Sequence, residues 1–533
     1  MFPRVHPKSR GDESPIRSVL KLGRIRAIMG HLVGIDIGTS GTKAIAVDET
    51  GKLVASASAE YELLTPQPLW AEQRPLEWWA ATCHVCQQIA AQVGSENITS
   101  IGLSGQMHGL VMLDANGQVL RDAILWCDQR TQSQCDQITA RVGRETLVAE
   151  TANPVLTGFT APKILWVREN EPAVAERAAM HLLPKDYVRF RLTGEYATEV
   201  SDASGTSLLN VPQRKWSDAV CSALDISLDT LPRVYESFEV SGRISAEGAR
   251  ATGLREGTPV VGGGGDQAAG AIGNGIVRSG IISVASGTSG VVFAFADTPA
   301  VDPQLRMHTF CHAVPGKWHV MGVMLSAGGS LRWFRDTLST QEKSVAARLG
   351  VDPYELITRE AAQVPSGSEG LLFLPYLTGE RTPHPDPLAR GAFIGLTVRH
   401  TKAHMARAVL EGVSFGLRDS LEILKSMNIS IGSARASGGG AKSEVWRQIQ
   451  ADVFGLPLAT IAIDEGPALG AALLAGVGAG VYDSVEEACD AVVRTGGMAR
   501  VNEGDAALYD RLYSSYTDLY PALKSTFARL SSI

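Results

Sequence analysis

Apolar residues in this chain gather in short β-type runs that end in turns of small residues. Leu32-Val33-Gly34-Ile35-Asp36-Ile37 and Thr42-Lys43-Ala44-Ile45-Ala46-Val47 flank Gly38-Thr39-Ser40-Gly41. Far downstream, Ile281-Ile282-Ser283-Val284-Ala285 and Val291-Val292-Phe293-Ala294-Phe295 flank a second Gly-Thr-Ser-Gly, residues 287–290. A strand, a small turn and a strand, occurring twice, predict two related lobes. The turns admit two readings. They are ordinary Gly-rich hairpins, or they are loops whose N–H groups and hydroxyls grip a polyphosphate from both sides.

The pattern continues as an α/β chain. Strands are predicted over 32–37, 42–48 and 52–59, then helical periodicity over 77–93. A buried-type strand at 98–104 runs straight into Gly105-Gln106-Met107-His108-Gly109. Residues 110–257 alternate helical and short strand patterns. A further strand at 258–261 ends in Gly262-Gly263-Gly264-Gly265-Asp266, and a helix is expected to open at Ala268. The second lobe starts near Ser279. Its strand at 433–436 meets Gly438-Gly439-Gly440-Ala441-Lys442-Ser443, and a helix follows over 444–454. A strand at 457–463, a small-residue helix from Ala468 and a last helix from about Asp505 complete it. No long Ser/Gly linker separates the lobes, so they pack closely around a cleft.

Length and composition narrow the class. The 533 residues fit two to four domains. Hydrophobic content of 44% and charged content of 20% are those of an ordinary globular protein. A formal charge of −7 carries no basic footprint for nucleic acid. No apolar run reaches membrane-spanning length without polar breaks. The seven cysteines are scattered, which points to a reduced, cytoplasmic protein. Cys83-His84-Val85-Cys86 lies within a helical pattern and has no second pair, so it reads as two thiols on a helix. Residues 1–28 hold seven Lys/Arg and two Asp/Glu, and read as a disordered tail, a start-site artefact or a weak organelle-targeting sequence, the first two favoured. The chain has no G-x-x-x-x-G-K-[ST] and no H-E-x-x-H. Gly412-Val413-Ser414-Phe415-Gly416 matches G-x-S-x-G, but it falls inside one continuous helical pattern, where no nucleophile elbow forms.

The candidate chemistry sits at strand ends. Asp36 precedes the first small turn, where a carboxylate beside phosphate needs a cation such as Mg²⁺ between them, and Lys43 is close by. Its bland alternative is a turn-starting Asp. Asp266 ends a four-glycine run whose conformational entropy cost implies close backbone approach. It is a candidate general base. Met107-His108 reads equally as a sugar contact or as a satisfied structural histidine. Gly438 to Ser443 either admits adenine and ribose close to backbone or simply caps the next helix.

Together these residues resemble one family. Asp36 to Lys43, Gly263 to Asp266, the second Gly-Thr-Ser-Gly, Gly438 to Ser443 and Gly466-Pro467-Ala468-Leu469-Gly470 are similar to the motifs of the FGGY carbohydrate kinases, relatives of actin, hexokinase and Hsp70. Two longer family signatures also stand intact, 158–170 and 391–411. Gly105 to Gly109, Leu125-Trp126-Cys127-Asp128-Gln129-Arg130, Leu182-Leu183-Pro184-Lys185-Asp186-Tyr187, Ser201 to Thr206 and Leu374 to His384 look like the members that act on a ketopentose. The resemblance implies a two-lobed actin-like (ribonuclease H-like) ATPase fold with a central cleft. Residues 1–30 form an extension. Residues 31–278 form the lobe on the sugar and phosphate side, and 279–533 the lobe on the nucleotide side. It implies ATP and Mg²⁺. Asp266 is the expected proton acceptor and Asp36 an essential carboxylate, with both near the metal. Met107, His108 and Asp266 are expected at the sugar. Gly38, Thr39, Ser40, Lys43, Gly287, Thr288, Ser289, Gly439, Gly440 and Ser443 are expected at ATP and its phosphates. The implied reaction is phosphorylation of D-xylulose at its 5-hydroxyl, with gluconate, L-ribulose or another pentulose as the alternative. The implied partners are small molecules, and a homodimer is compatible with the family.

Overall fold

The period-two runs become two seven-stranded mixed sheets built on one plan. The computed structural model describes residues 30–462 and 465–531; the extension expected at 1–30 lies, Gly30 apart, outside the described residues. In the first sheet His31–Ile37, Gly41–Val47 and Leu53–Glu60 form an antiparallel meander. Ile98–Gly105 lies parallel to the first of these, and Pro259–Val261 lies parallel to Ile98–Gly105. In the second sheet Gly280–Ser286, Gly290–Ala296 and Trp318–Met324 repeat the meander. Ile431–Ser437 then lies parallel to its first strand, and Leu458–Ile461 parallel to that. Each Gly-Thr-Ser-Gly occupies the same station, the turn between a sheet's first two strands. The sequence repeat is a repeat in topology.

Strands in the middle of the first sheet are buried on both faces, as a parallel centre requires. Helix Pro75–Val93 packs on one face, with Trp78 and Trp79 buried against the meander. The other face is covered by helix Gly466–Gly478, which belongs to the distal half of the chain. Its composition explains how it fits. A Cβ on Gly34 would lie 1.8 Å from the Ala468 carbonyl oxygen, and one on Gly102 would lie 2.0 Å from that of Ala471. Only small residues on both partners allow so close an approach. The same helix packs against Asp266–Gly273, so it joins the two halves of the molecule.

Helix Lys402–Ser426 runs unbroken through Ser414, whose hydroxyl bonds back to Leu410 O at 2.7 Å, as expected of a core helix. The last helix, Glu503–Leu530, starts two residues before the predicted point because Asn502 caps it, accepting from Gly504 and Asp505 N–H. The strand predicted over 457–463 is shorter, Leu458–Ile461, and Ile463 lies outside the described residues. All seven cysteines are free, with Cys83 half-buried and Cys86 buried on the Pro75–Val93 helix. No described helix is long and apolar enough to cross a membrane.

Candidate active site

Strand register gathers the two candidate carboxylates. Asp36 is the register partner of Ser104, and Ser104 is also the partner of Gly264. Three neighbouring strands, about 4.8 Å apart, thus line up Asp36, Ser104 and the residue two before Asp266. The helix predicted to open at Ala268 begins at Asp266 itself. The carboxylate therefore sits in the first turn, where the helix N-terminus favours negative charge.

The four-glycine run is packed rather than mobile. Gly263 adopts φ +73°, and a Cβ there would lie 1.9 Å from the Leu103 carbonyl oxygen. A Cβ on Gly265 would lie 2.9–3.1 Å from the side-chain atoms of Met107. This contact brings Met107 against the residue preceding Asp266. Gly265 N–H also points at Glu199 Oε1 (3.2 Å) and Ser201 Oγ (3.1 Å). Glu199 belongs to a buried ionic cluster. Lys185 Nζ lies 2.7 Å from Asp186, 3.1 Å from Asp202 and 3.6 Å from Glu199, and Arg189 bonds Asp186 and the Gly262 carbonyl. Burial pulls the Lys185 ammonium down, but Asp186, Asp202 and Glu199 together raise it. This cluster is the platform beneath the glycine run.

Burial governs the electrostatics. Desolvation pushes the Asp36 carboxyl up to about 6, against the pull of the Ser104 hydroxyl and the Lys43 charge. Desolvation and then the neighbouring Asp36 charge push Asp266 up to about 7. The pair ionises in two steps, and the second proton to leave carries the repulsion. Asp36 Oδ1 is buried and makes no hydrogen bond. Two desolvated carboxylates with a spare buried oxygen suit a divalent cation, which would satisfy both. Among the described residues no three His, Cys, Asp or Glu cluster as a self-sufficient metal site. A Mg²⁺ ion that shares phosphate oxygens does not require one.

His108 is held in a left-handed conformation, φ +70°. Lys163 Nζ and Thr160 Oγ1 donate to its carbonyl at 2.8 and 3.0 Å, which maintains the strain. Its Nδ1 lies 2.8 Å from Gly205 O, so that nitrogen carries the proton and Nε2 is left as an acceptor. Burial, with Lys163 nearby, lowers the imidazole to about 3, so it stays neutral. Its ring packs on Phe159 at 4.8 Å.

The first Gly-Thr-Ser-Gly is a hairpin turn, with Gly38 N–H donating to Gly41 O at 3.0 Å. Its carbonyls are tied from behind. Tyr61 OH donates to Gly38 O at 2.6 Å, and Gln73 Nε2 to Thr39 O at 2.7 Å. Thr39 Oγ1 is engaged by Trp126 Nε1 and Gln106 Oε1. Ser40 is exposed. Lys43 forms an ion pair with Glu465, at the start of the helix that joins the halves. In the second turn Gly287 and Thr288 carbonyls accept from Ala327, Gly328 and Gly329 N–H, and Arg332 donates to Thr288 Oγ1. The Gly438 to Ser443 loop packs on this turn: a Cβ on Gly440 would lie 2.6 Å from that of Ser286. Gly439 is exposed, while Ser443 Oγ caps helix Glu444–Phe454. Sequence reasoning gave no role to Gln73, Gln106, Trp126, Glu199 or Ser201. Their signal was only that they fall in motifs or next to strand ends.

Comparison with known proteins identifies the class. Residues 31–273 match the N-terminal domain, and residues 282–479 the C-terminal domain, of the FGGY family of carbohydrate kinases. The chain belongs to that family. It is 40% identical to the xylulose kinase of Bacillus subtilis strain 168 over 506 residues, which span 95% of this chain and 99% of that one. It is 43% identical to the xylulose kinase of Escherichia coli strain K12 over 457 residues, 85% of this chain and 91% of that one. The crystal structure of xylulose kinase from Rhodospirillum rubrum superposes with a TM-score of 0.86 at 32% identity, covering 93% of this chain and all of that one. The two-lobed actin-like architecture expected from the motifs is the one found.

Proposed function

We propose that this enzyme transfers the γ-phosphoryl group of ATP to the 5-hydroxyl of D-xylulose, giving D-xylulose 5-phosphate and ADP. The observation that carries the reading is the pair Asp36 and Asp266, both desolvated and drawn together by the register of their strands, with Met107 packed against the residue before Asp266. The identity to xylulose kinases over nearly the whole chain supports the choice of sugar.

A primary hydroxyl is a weak nucleophile at neutral pH. Asp266, raised to about 7, is poised to accept its proton as the oxygen attacks phosphorus. His108 Nε2 accepts a hydrogen bond from a sugar hydroxyl, and Met107 and Phe159 supply the apolar wall. The turns at Gly38-Thr39-Ser40 and Gly287-Thr288-Ser289 hold the phosphate chain, and Gly439, Gly440 and Ser443 border the nucleoside. Lys43 adds positive charge near the first turn while anchored to Glu465. Mg²⁺, when bound, neutralises phosphate charge, and Asp36 with Asp266 would hold it. Closure of the lobes excludes water and limits futile hydrolysis.

The test is coupled ADP release with D-xylulose, L-ribulose, gluconate and glycerol, with and without Mg²⁺. D-Xylulose is expected to give the highest kcat/KM. Faster turnover of another sugar, with none on D-xylulose, would refute the assignment.

A further inference from the structure

The second lobe holds a cavity that the reaction above leaves unused. Two helices build it. Asp419, Glu422 and Ser426 fall at i, i+3 and i+7 of helix Lys402–Ser426, and Tyr513, Tyr516 and Tyr520 repeat that spacing on helix Glu503–Leu530. Positions so spaced share one face of a helix, so a polar stripe of one helix meets an aromatic stripe of the other. The cavity between them measures about 290 Å³ and takes in Tyr376 and His384, from the chain that follows strand Leu372–Leu374. His384 and Tyr520 also border a second chamber of about 350 Å³. None of these residues is among those gathered around Asp36 and Asp266.

Most polar groups at the cavity are already engaged. Arg306, which also borders it, donates Nε and Nη2 to Asp302 at 2.9 Å each. Glu422 accepts from Lys425 at 3.0 Å and from Arg418 at 3.3 Å. Tyr516 OH donates to Tyr376 OH at 3.4 Å, and Tyr520 OH to Asp386 at 2.8 Å. His384 stacks on Tyr520 with centroids 3.8 Å apart, and burial lowers its imidazole to about 4, so it is neutral. Asp419 is the exception. It is only 7% exposed, and its Oδ1 accepts from Tyr513 OH at 2.6 Å. Among the described residues its Oδ2 makes no hydrogen bond, and no cation lies within ion-pair distance. A carboxylate withdrawn from water without a counter-charge is costly. The rings around it are of the kind that take cations. Arg418 lies 4.3 Å from the Tyr513 centroid and Lys524 5.8 Å from that of Tyr520, while Tyr376 and Tyr516 carry none among the described residues.

We propose that this cavity binds a small organic ammonium, with its charged head on Asp419 Oδ2 beside the Tyr376 and Tyr516 rings and its alkyl body along Ile423. The carboxylate and the ring faces supply complementary charge that a neutral sugar or an anion does not use. A volume near 290 Å³ lies at the small end of ligand pockets, about 300–1,000 Å³, and suits a short amine rather than a nucleotide. The cavity belongs wholly to the second lobe, so binding there requires neither the sugar nor the phosphate turns.

The experiment is isothermal titration calorimetry of the full chain at pH 8, without nucleotide, metal or sugar. Burial raises Asp419 to about 7, so it is charged there. The probes are putrescine and 1,4-butanediol, the same carbon chain with hydroxyls in place of the amines. Putrescine is expected to bind at a single saturable site, roughly tenfold or more tighter than the diol, the weight of a hydrogen bond to a charged group. Asp419→Asn keeps an acceptor for Tyr513 and removes the charge, so it should erase the preference. Thr517→Trp, at an exposed position bordering the cavity, should fill it and abolish binding. Thermal melts establish folding, and if Asp419→Asn does not fold, Thr517→Trp decides. Equal affinity for the two probes, no binding of either, or unchanged putrescine binding in a folded variant would overturn the inference.

Discussion

Replacing Asp266 by Asn separates the chemical role of this residue from its energetic cost. The amide keeps the shape and removes the charge. Without a proton acceptor, kcat is expected to fall by about 10²–10⁴, with KM for ATP little changed. Stability should move the opposite way. The folded pKa of Asp266 is about 7 against an ordinary 3.8. A carboxyl raised on folding holds its proton more tightly in the native state. Its contribution is therefore most favourable below pH 4 and is lost as pH rises toward 7. At about 1.4 kcal/mol per pH unit, the loss reaches up to about 4 kcal/mol above pH 7 and is about 1.6 kcal/mol at pH 5. Asp266→Asn should thus be more stable than the wild type, and by a larger margin at pH 8 than at pH 5. Coupled ADP release reads the first effect, and urea denaturation at the two pH values, without nucleotide or metal, reads the second. Near-normal turnover would remove Asp266 as the base. An unchanged or lowered stability at pH 8 would show that the two carboxylates do not share a desolvated site.

The remaining predictions probe the surroundings of that pair. His108→Asn retains a residue tolerant of φ > 0 and loses Nε2, so KM for the sugar should rise about 10–100-fold while KM for ATP holds, as read by steady-state kinetics. Gly265→Ala places a methyl within 2.9–3.1 Å of Met107; the shift should lower kcat/KM about 10²-fold with little change in melting temperature, and a fall in stability alone would contradict this. Lys185→Met leaves Asp186, Glu199 and Asp202 without their central cation and should cost about 3–5 kcal/mol in denaturant unfolding. Adding Mg²⁺ without nucleotide should move the acid limb of the Asp266 and Asp36 titration to lower pH, followed by carboxylate NMR shifts.

Much of the frame is written locally. The runs around the two Gly-Thr-Ser-Gly turns alternate and branch as strands do, and they formed strands within a residue of the expected bounds. Helix Glu444–Phe454 matches its predicted bounds because Ser443 caps one end and Gly455 closes the other in the left-handed region. The candidates Asp36 and Asp266 stand out because one lies at the end of a buried strand and the other ends a glycine run, and Met107 and His108 because they follow a strand end. The start of the Asp266 helix was not, since the pairing of Gly264 and Gly265 with Ser104 and Gly105 holds the glycines straight up to the first turn.

The sequence alone therefore determined the two-lobe repeat, the turns and the candidate carboxylates. These follow from periodicity and backbone sterics, which act over a few residues. Tertiary structure decided what those residues face. It buried Asp36 and set its charge close enough to Asp266 to raise the latter, paired Lys43 with Glu465 more than 400 positions away, and tied the first turn's carbonyls to Gln73 and Tyr61. Register, burial and desolvation are properties of surfaces brought together from distant parts of the chain, and no local pattern carries them.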